Sequence, residues 1–233
     1  MKETYQITII DGVPVIEVEG NKVLVDTGCP LTFGNVGNLE IMGRERSIHE
    51  TLDGYINVNH IAELVGENID VMMGRDILAD YCVSWDYKKG EMMFCDEACE
   101  EMNGALEILR PGMFTKQVGV LVEMNVAGNN LMTIIDTGAR ISYLMPEFNE
   151  GQAAVRVEED YNPMYGGVFR TNIYNLNTRI GDLEKTMEYG DMPEGCKRDL
   201  SMVNVQAVIG RDLFEAAKVT IDFISGKVYI QKY

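Results

Sequence analysis

Two carboxylate-bearing tripeptides carry the chemistry this sequence offers. Asp26-Thr27-Gly28 ends the segment GNKVLVDTG (20–28), and Asp136-Thr137-Gly138 ends GNNLMTIIDTG (128–138). In each, a glycine turn leads into a short apolar strand that stops at the aspartate. Two carboxyls brought within a few ångströms cannot both ionise, so such a pair shares one proton. One aspartate can then act as base on a bound water and the other as acid toward a carbonyl. The pair titrates as a unit. No separate nucleophile, metal or cofactor is required. That suits a chain with no G-x-S-x-G turn and only His49 and His60 as histidines. Gly28 and Gly138 are expected to let backbone approach the carboxylates closely.

The elements that must position these residues recur as well. Residues 71–94 (VMMGRDILADYCVSWDYKKGEMMF) and 207–230 (AVIGRDLFEAAKVTIDFISGKVYI) align without a gap at an offset of 136. Gly74, Arg75, Asp76, Val83, Asp86 and Gly90 match Gly210, Arg211, Asp212, Val219, Asp222 and Gly226. The aspartate precedes the glycine of the apolar-apolar-Gly segment by 48 residues in the first half and by 74 in the second. Two blocks in the same order describe a duplicated unit. The expected division is 1–104 and 105–233, with the joint between residues 103 and 115 and the active site shared between the lobes. VPVIEVEG with NKVLVD, and VGVLVEMNVAG with NNLMTIID, read as hairpins. A further hairpin is predicted in each half: one in SIHETLDGYINVN with a two-residue Asp53-Gly54 turn, one around Gly166-Gly167. Helices are predicted near residue 62 and for one turn after each Gly-Arg-Asp.

Composition sets outer limits. The 233 residues are 46% hydrophobic, which supports a buried core, and no run of about 18 apolar residues exists to span a membrane. The net charge is −17, with 7 basic against 20 acidic residues in 1–104. That balance argues against nucleic acid and anionic membranes as partners and favours a basic substrate or partner. Five cysteines without a CxxC read as reduced thiols, so the cytoplasm is the expected compartment. Cys95 and Cys99 have helical i, i+4 spacing, half of a metal site at most. The residues before the first hairpin leave no obvious propeptide.

The two Asp-Thr-Gly motifs, each followed by an apolar-apolar-Gly-Arg-Asp motif, resemble the pepsin-fold aspartic proteases, and in detail two fused retropepsin-like units. The resemblance implies a mostly β, bilobal fold with a pseudo-twofold duplication and a few short helices. It implies an aspartic endopeptidase with Asp26 and Asp136 as the dyad. Thr27 and Thr137 would hydrogen-bond across the pseudo-twofold axis and hold the loops with Gly28 and Gly138. It also implies a flap. Gly54 lies 28 residues past Asp26 and Gly166 lies 30 past Asp136, so Gly54, Tyr55, Tyr165, Gly166 and Gly167 are substrate-binding candidates. Peptide or protein substrate and a monomer of two pseudo-dimeric lobes follow.

The sequence departs from that pattern beside both aspartates. Pepsins place a hydroxyl residue after Asp-Thr-Gly, where it lowers the carboxylate pKa; here the residues are Cys29 and Ala139. An activity optimum nearer neutrality than pepsin's is expected. Pro30 and Arg140 replace the Asp that many retropepsins use to pair with the Gly-Arg-Asp arginine. Arg140 is then a candidate for an acidic group on the substrate, or an ordinary partner of a nearby Glu. The alternative function is a catalytically inactive member of the fold that binds extended peptides or a protein partner.

Overall fold

The computed structural model describes residues 1–109, 119–164 and 167–233. Strands Val13–Val18 and Asn21–Val25 pair through a turn at Glu19 and Gly20, both with positive φ (51° and 80°). Strands Val120–Val126 and Asn129–Ile135 repeat this through Ala127 and Gly128 (49° and 88°). Left-handed turns of this kind match the twist of the strands they join. The apolar-apolar-Gly segments then enter as parallel neighbours. Val71–Met73 lies beside Asn21–Val25 with Met73 opposite Val25, and Ala207–Ile209 lies beside Asn129–Ile135 with Ile209 opposite Ile135. A strand covered on both faces reads as an unbroken apolar run, which is why these three-residue segments carry no alternation.

Gly74 and Gly210 follow where the chain must pass close to the aspartate loops. A Cβ on Gly74 would sit 2.6 Å from the Leu31 carbonyl oxygen, and one on Gly210 would sit 2.1 Å from that of Ala139. Gly-Arg-Asp then opens the helices Arg75–Leu78 and Arg211–Ala216.

Three larger sheets form among the described residues. A six-stranded sheet joins the two halves side by side: Lys2–Gln6, Glu91–Cys95, Cys82–Asp86, Ala217–Asp222, Lys227–Lys232 and Leu106–Glu107 lie in that order. Its central pair sets Cys82 opposite Asp222 and Trp85 opposite Val219. Trp85 is fully buried edge-on to Phe214 of the second half, at 5.9 Å between centroids. Such an aromatic contact adds roughly 1 kcal/mol beyond its area burial. A five-stranded sheet holds the first aspartate loop and a seven-stranded sheet the second.

The extra length of the second half forms regular structure. Gly167–Ile180 pairs with Arg156–Asn162 on one side and Leu183–Asp191 on the other, and a helix spans Glu194–Ser201. The corresponding hairpin of the first half is a stub, Thr51–Leu52 with Ile56–Asn57. Its loop has three residues, 53–55, rather than the predicted two, because Leu52 pairs with Ile56. The helix Val58–Val65 follows at once, capped by the Asn57 side chain and ended by Gly66.

The cysteine expectation needs correction. Cys82 and Cys99 are joined in a disulfide, while Cys29, Cys95 and Cys196 are free. Cys95 ends a strand, so the i, i+4 spacing to Cys99 is not helical. The chain after it folds back so that the Cys99 amide donates to Asp222, a partnership that spacing along the chain does not encode. No helix among the described residues is long and apolar enough to cross a membrane.

Candidate active site

The parallel strands fix both aspartates by the same device. The Asp26 amide donates to the Met73 carbonyl at 2.9 Å, and the Asp136 amide to that of Ile209 at 2.9 Å. Each loop then returns beneath its Gly-Arg-Asp helix. The Arg75 amide reaches the Cys29 carbonyl (2.9 Å) and the Arg211 amide that of Ala139 (3.0 Å). The Gly74 amide donates to Thr32 Oγ1 and the Gly210 amide to Ser142 Oγ.

Thr27 and Thr137 join the loops reciprocally. The Thr27 amide donates to Thr137 Oγ1 and the Thr137 amide to Thr27 Oγ1, both at 3.0 Å. Each hydroxyl passes its own proton onward across the divide, Thr27 to the Ile135 carbonyl (2.8 Å) and Thr137 to that of Val25 (2.7 Å). Both side chains are buried. Gly28 and Gly138 fill the remaining space. A Cβ on Gly28 would stand 2.5 Å from Asp136 Oδ2, and one on Gly138 2.6 Å from the Asp26 carboxyl. Each half therefore lays bare backbone against the carboxyl of the other.

The two carboxyls meet across this junction, each against the glycine of the opposite loop. Each keeps part of its surface open, yet protein surrounds it, and burial pushes both above the ordinary carboxylate range. Asp136 is raised the more, by burial first and then by the neighbouring Asp26 charge. Asp26 is held back by its hydrogen bonds, since its Oδ1 accepts the amides of Gly28 (2.7 Å) and Cys29 (3.0 Å). Asp136 Oδ1 accepts the Gly138 amide at 2.9 Å. Cys29 turns its thiol to the Leu31 carbonyl rather than to the dyad.

An apolar cavity of about 180 Å³ adjoins Asp136. Ile134, Tyr143, Met192, Cys196, Leu200 and Val208 line it, together with Gly28 and Asp136. Burial pushes the Cys196 thiol up to about 11, so it is neutral near pH 7. Met192, Cys196 and Leu200 come from the insertion of the second half, whose mostly polar helix EGCKRDLS has only the Cys196–Leu200 pair to mark it.

Arg140 spans the two halves. Nη1 meets both carboxylate oxygens of Asp11 (2.7 and 2.8 Å), Nη2 donates to the Glu159 carbonyl (2.8 Å), and Nε lies 3.1 Å from Asp160 Oδ1. The guanidinium also covers the Tyr161 ring at 5.8 Å. Asp160 is buried and accepts a short hydrogen bond from the Tyr143 hydroxyl, which links this cluster to the cavity wall. Asp11 and Asp160 carry no sequence signal, because they belong to other elements. Of the flap candidates, Gly54 sits at its loop with φ 78°, and Tyr55 is 65% exposed. Gly167 opens its strand opposite Asn162. Tyr165 and Gly166 lie outside the described residues.

No family model and no curated protein sequence matches the chain. Among solved structures, the aspartic proteinase of Irpex lacteus aligns over 100% of this chain and 97% of its own, with a TM-score of 0.58 and 11% identity. The fold is that of the pepsin-like aspartic proteinases. The protease of simian foamy virus (mac) matches 40% of this chain and 88% of its own, with a TM-score of 0.30 and 15% identity. The full-length likeness is one of fold, and the mostly β bilobal architecture expected from the duplicated motifs agrees with it.

Proposed function

We propose that the protein is an aspartic endopeptidase that hydrolyses peptide bonds in the cleft between its two halves, 1–104 and 105–233, with Asp26 and Asp136 as the catalytic pair. The observation that carries this reading is the seating of each carboxyl against the glycine of the opposite loop, Asp136 on Gly28 and Asp26 on Gly138, held by the reciprocal Thr27–Thr137 bonds. One proton is then shared by the pair, and Asp26, whose Oδ1 accepts two amides against one for Asp136, is the better placed to carry the charge. Asp26 takes a proton from a water held between the carboxyls, and the water oxygen attacks the scissile carbonyl carbon. Asp136 gives its proton to the carbonyl oxygen. Collapse of the resulting diol breaks the C–N bond as Asp136 takes back a hydroxyl proton and Asp26 passes its proton to the leaving amine, which returns the pair to one shared proton.

The apolar cavity beside Asp136 takes an apolar side chain of the substrate. One chain supplies both carboxyls, so a monomer suffices. The acidic first half favours substrates with basic residues near the cleavage point.

The test is cleavage of a peptide library by wild type and by Asp26→Asn, with a statine-type transition-state mimic as control. Cleavage by wild type that is lost in Asp26→Asn and blocked by the mimic supports the reading. Equal turnover by both proteins defeats it. Peptide capture without turnover assigns the cleft to binding instead.

A further inference from the structure

The two Gly-Arg-Asp motifs are equivalent in sequence but not in what their arginines do. Arg75 is 7% exposed, and its Nη1 donates to the carbonyls of Thr27 (2.8 Å) and Gly28 (2.7 Å). Those two carbonyls belong to the loop that carries Asp26 and locks to Thr137. Arg211, its repeat partner, is 44% exposed at its side chain and pairs with Glu215 one helical turn on. The aspartates of the motifs diverge too. Asp76 accepts the Thr32 hydroxyl at 2.6 Å, whereas Asp212 accepts the Glu188 amide at 2.7 Å.

We propose that Arg75 is a positioning residue that makes the site asymmetric: it clamps the backbone of the first aspartate loop and sets a cation beside the dyad, which Arg211 does not. This rests on the dyad assignment above. The titratable and charged groups facing the dyad among the described residues are few. Asp26 and Asp136 face each other, Arg75 and Cys29 face them from the first half, Cys196 faces Asp136 from the helix Glu194–Ser201, and Asp76 lies next to Arg75. Both thiols are held neutral by burial, so Arg75 is the cation that favours ionisation of both carboxyls. A guanidinium suits the place because it stays charged when buried and because the two N–H groups of Nη1, fixed in its plane, serve one carbonyl each. A clamp that is also charged has a signature that a purely structural clamp lacks: its effect on stability depends on whether the dyad is ionised.

The sign follows from linkage. The folded dyad binds protons more tightly than the unfolded carboxyls, so its contribution to stability is full at low pH and is lost as pH rises through the folded titration. Removing the cation raises the folded values further and deepens that loss. The experiment records thermal midpoints from about pH 4 to about pH 8, across the range where a raised carboxyl pair titrates. It uses wild type, Arg75→Met, Arg75→Lys and Arg211→Met, each with the native dyad and with Asp26→Asn/Asp136→Asn.

The gap between wild type and Arg75→Met is expected to widen as pH rises with the dyad intact, and to stay constant in the double-Asn background. Arg75→Lys keeps the charge and loses the planar pair of N–H donors, so its gap is expected at every pH without widening. Arg211→Met is expected to show no pH-dependent gap. An Arg75→Met gap independent of pH with the dyad intact, or one that widens equally without the dyad, overturns the proposal. So does a widening gap for Arg211→Met. Should Arg75→Met fail to fold, a gap for Arg75→Lys that widens with pH overturns it, and a flat one supports it. In active protein, both limbs of the kcat/KM profile of Arg75→Met move to higher pH. If wild type cleaves no peptide, the endopeptidase reading fails, while the thermal gaps still decide the role of Arg75.

Discussion

Thr27→Val isolates the bonds that join the two aspartate loops. The substitution keeps the shape of the side chain and removes one oxygen. That oxygen donates to the Ile135 carbonyl at 2.8 Å and accepts the Thr137 amide at 3.0 Å, and the residue has no exposed surface. Two backbone groups are therefore left buried and unpaired, each costing about 1–3 kcal/mol. A total of about 3 kcal/mol is expected, a large part of the roughly 5–15 kcal/mol that holds a domain folded. At about 2.1 cal/mol/K per residue, a chain of 233 residues has an unfolding entropy near 0.5 kcal/mol/K, so the midpoint should fall by about 6 °C. Calorimetry measures this directly. Thr27→Ser is the control, since it keeps the oxygen, loses one methyl group, and should fall by about 2 °C. Thr137→Val unpairs a different pair of groups, the Thr27 amide and the Val25 carbonyl. Its cost should match, and the double variant should reach about 6 kcal/mol unless the loops relax after the first loss. A Thr27→Val midpoint within about 1 °C of wild type, or a Thr27→Ser as damaged as Thr27→Val, would refute the account.

Three further outcomes follow from the same geometry. Gly28→Ala places a methyl group 2.5 Å from Asp136 Oδ2 and should lower peptidase turnover at least about 100-fold, whereas Gly37→Ala, with open space around its Cβ, should leave it unchanged. Arg140→Met leaves the buried Asp160 without its cation and should cost about 3 kcal/mol in urea unfolding near neutral pH. That cost shrinks on acidification, because burial already raises Asp160 and its protonated form needs no partner; Asp11→Asn, on the exposed side of the same arginine, should cost less than about 1 kcal/mol. Cys196→Trp fills the cavity beside Asp136, so cleavage of library peptides with a large apolar residue there should fall about 10-fold or more relative to those with alanine.

Much of the fold was legible because it is written twice in local patterns. The turn-strand-Asp-Thr-Gly segments and the apolar-apolar-Gly segments are short and dictated by neighbouring residues, and the parallel pairing of Met73 with Val25 and of Ile209 with Ile135 realises both copies. What escaped reading depends on contacts between distant elements. Asp160 is a charged residue in a polar strand until Tyr143 and Arg140 close on it. Cys99 is one of five thiols until its loop returns to Cys82. The helix Glu194–Ser201 has no side-chain cap and only Cys196 and Leu200 as its apolar side, so tertiary packing of that pair on the cavity, rather than propensity, accounts for it.

A dyad that works as acid and base needs its two carboxyls to be unlike, and duplication alone would make them alike. The alignment of the halves shows where the difference enters. The loop backbones, the threonine bonds and the parallel-strand contacts stay equivalent to within 0.1 Å in their hydrogen-bond lengths. The residues flanking them do not: Cys29 corresponds to Ala139, Pro30 to Arg140, and the buried Arg75 to the exposed Arg211. Asp26 gains a second amide on its own loop and Asp136 gains an apolar cavity, while the charge of Arg75 acts on both. Amides and a cation stabilise an anion, and an apolar wall favours a neutral acid. The second amide and the apolar wall thus act in one direction, toward charge on Asp26 and a proton on Asp136, on a frame whose own hydrogen bonds stay symmetric.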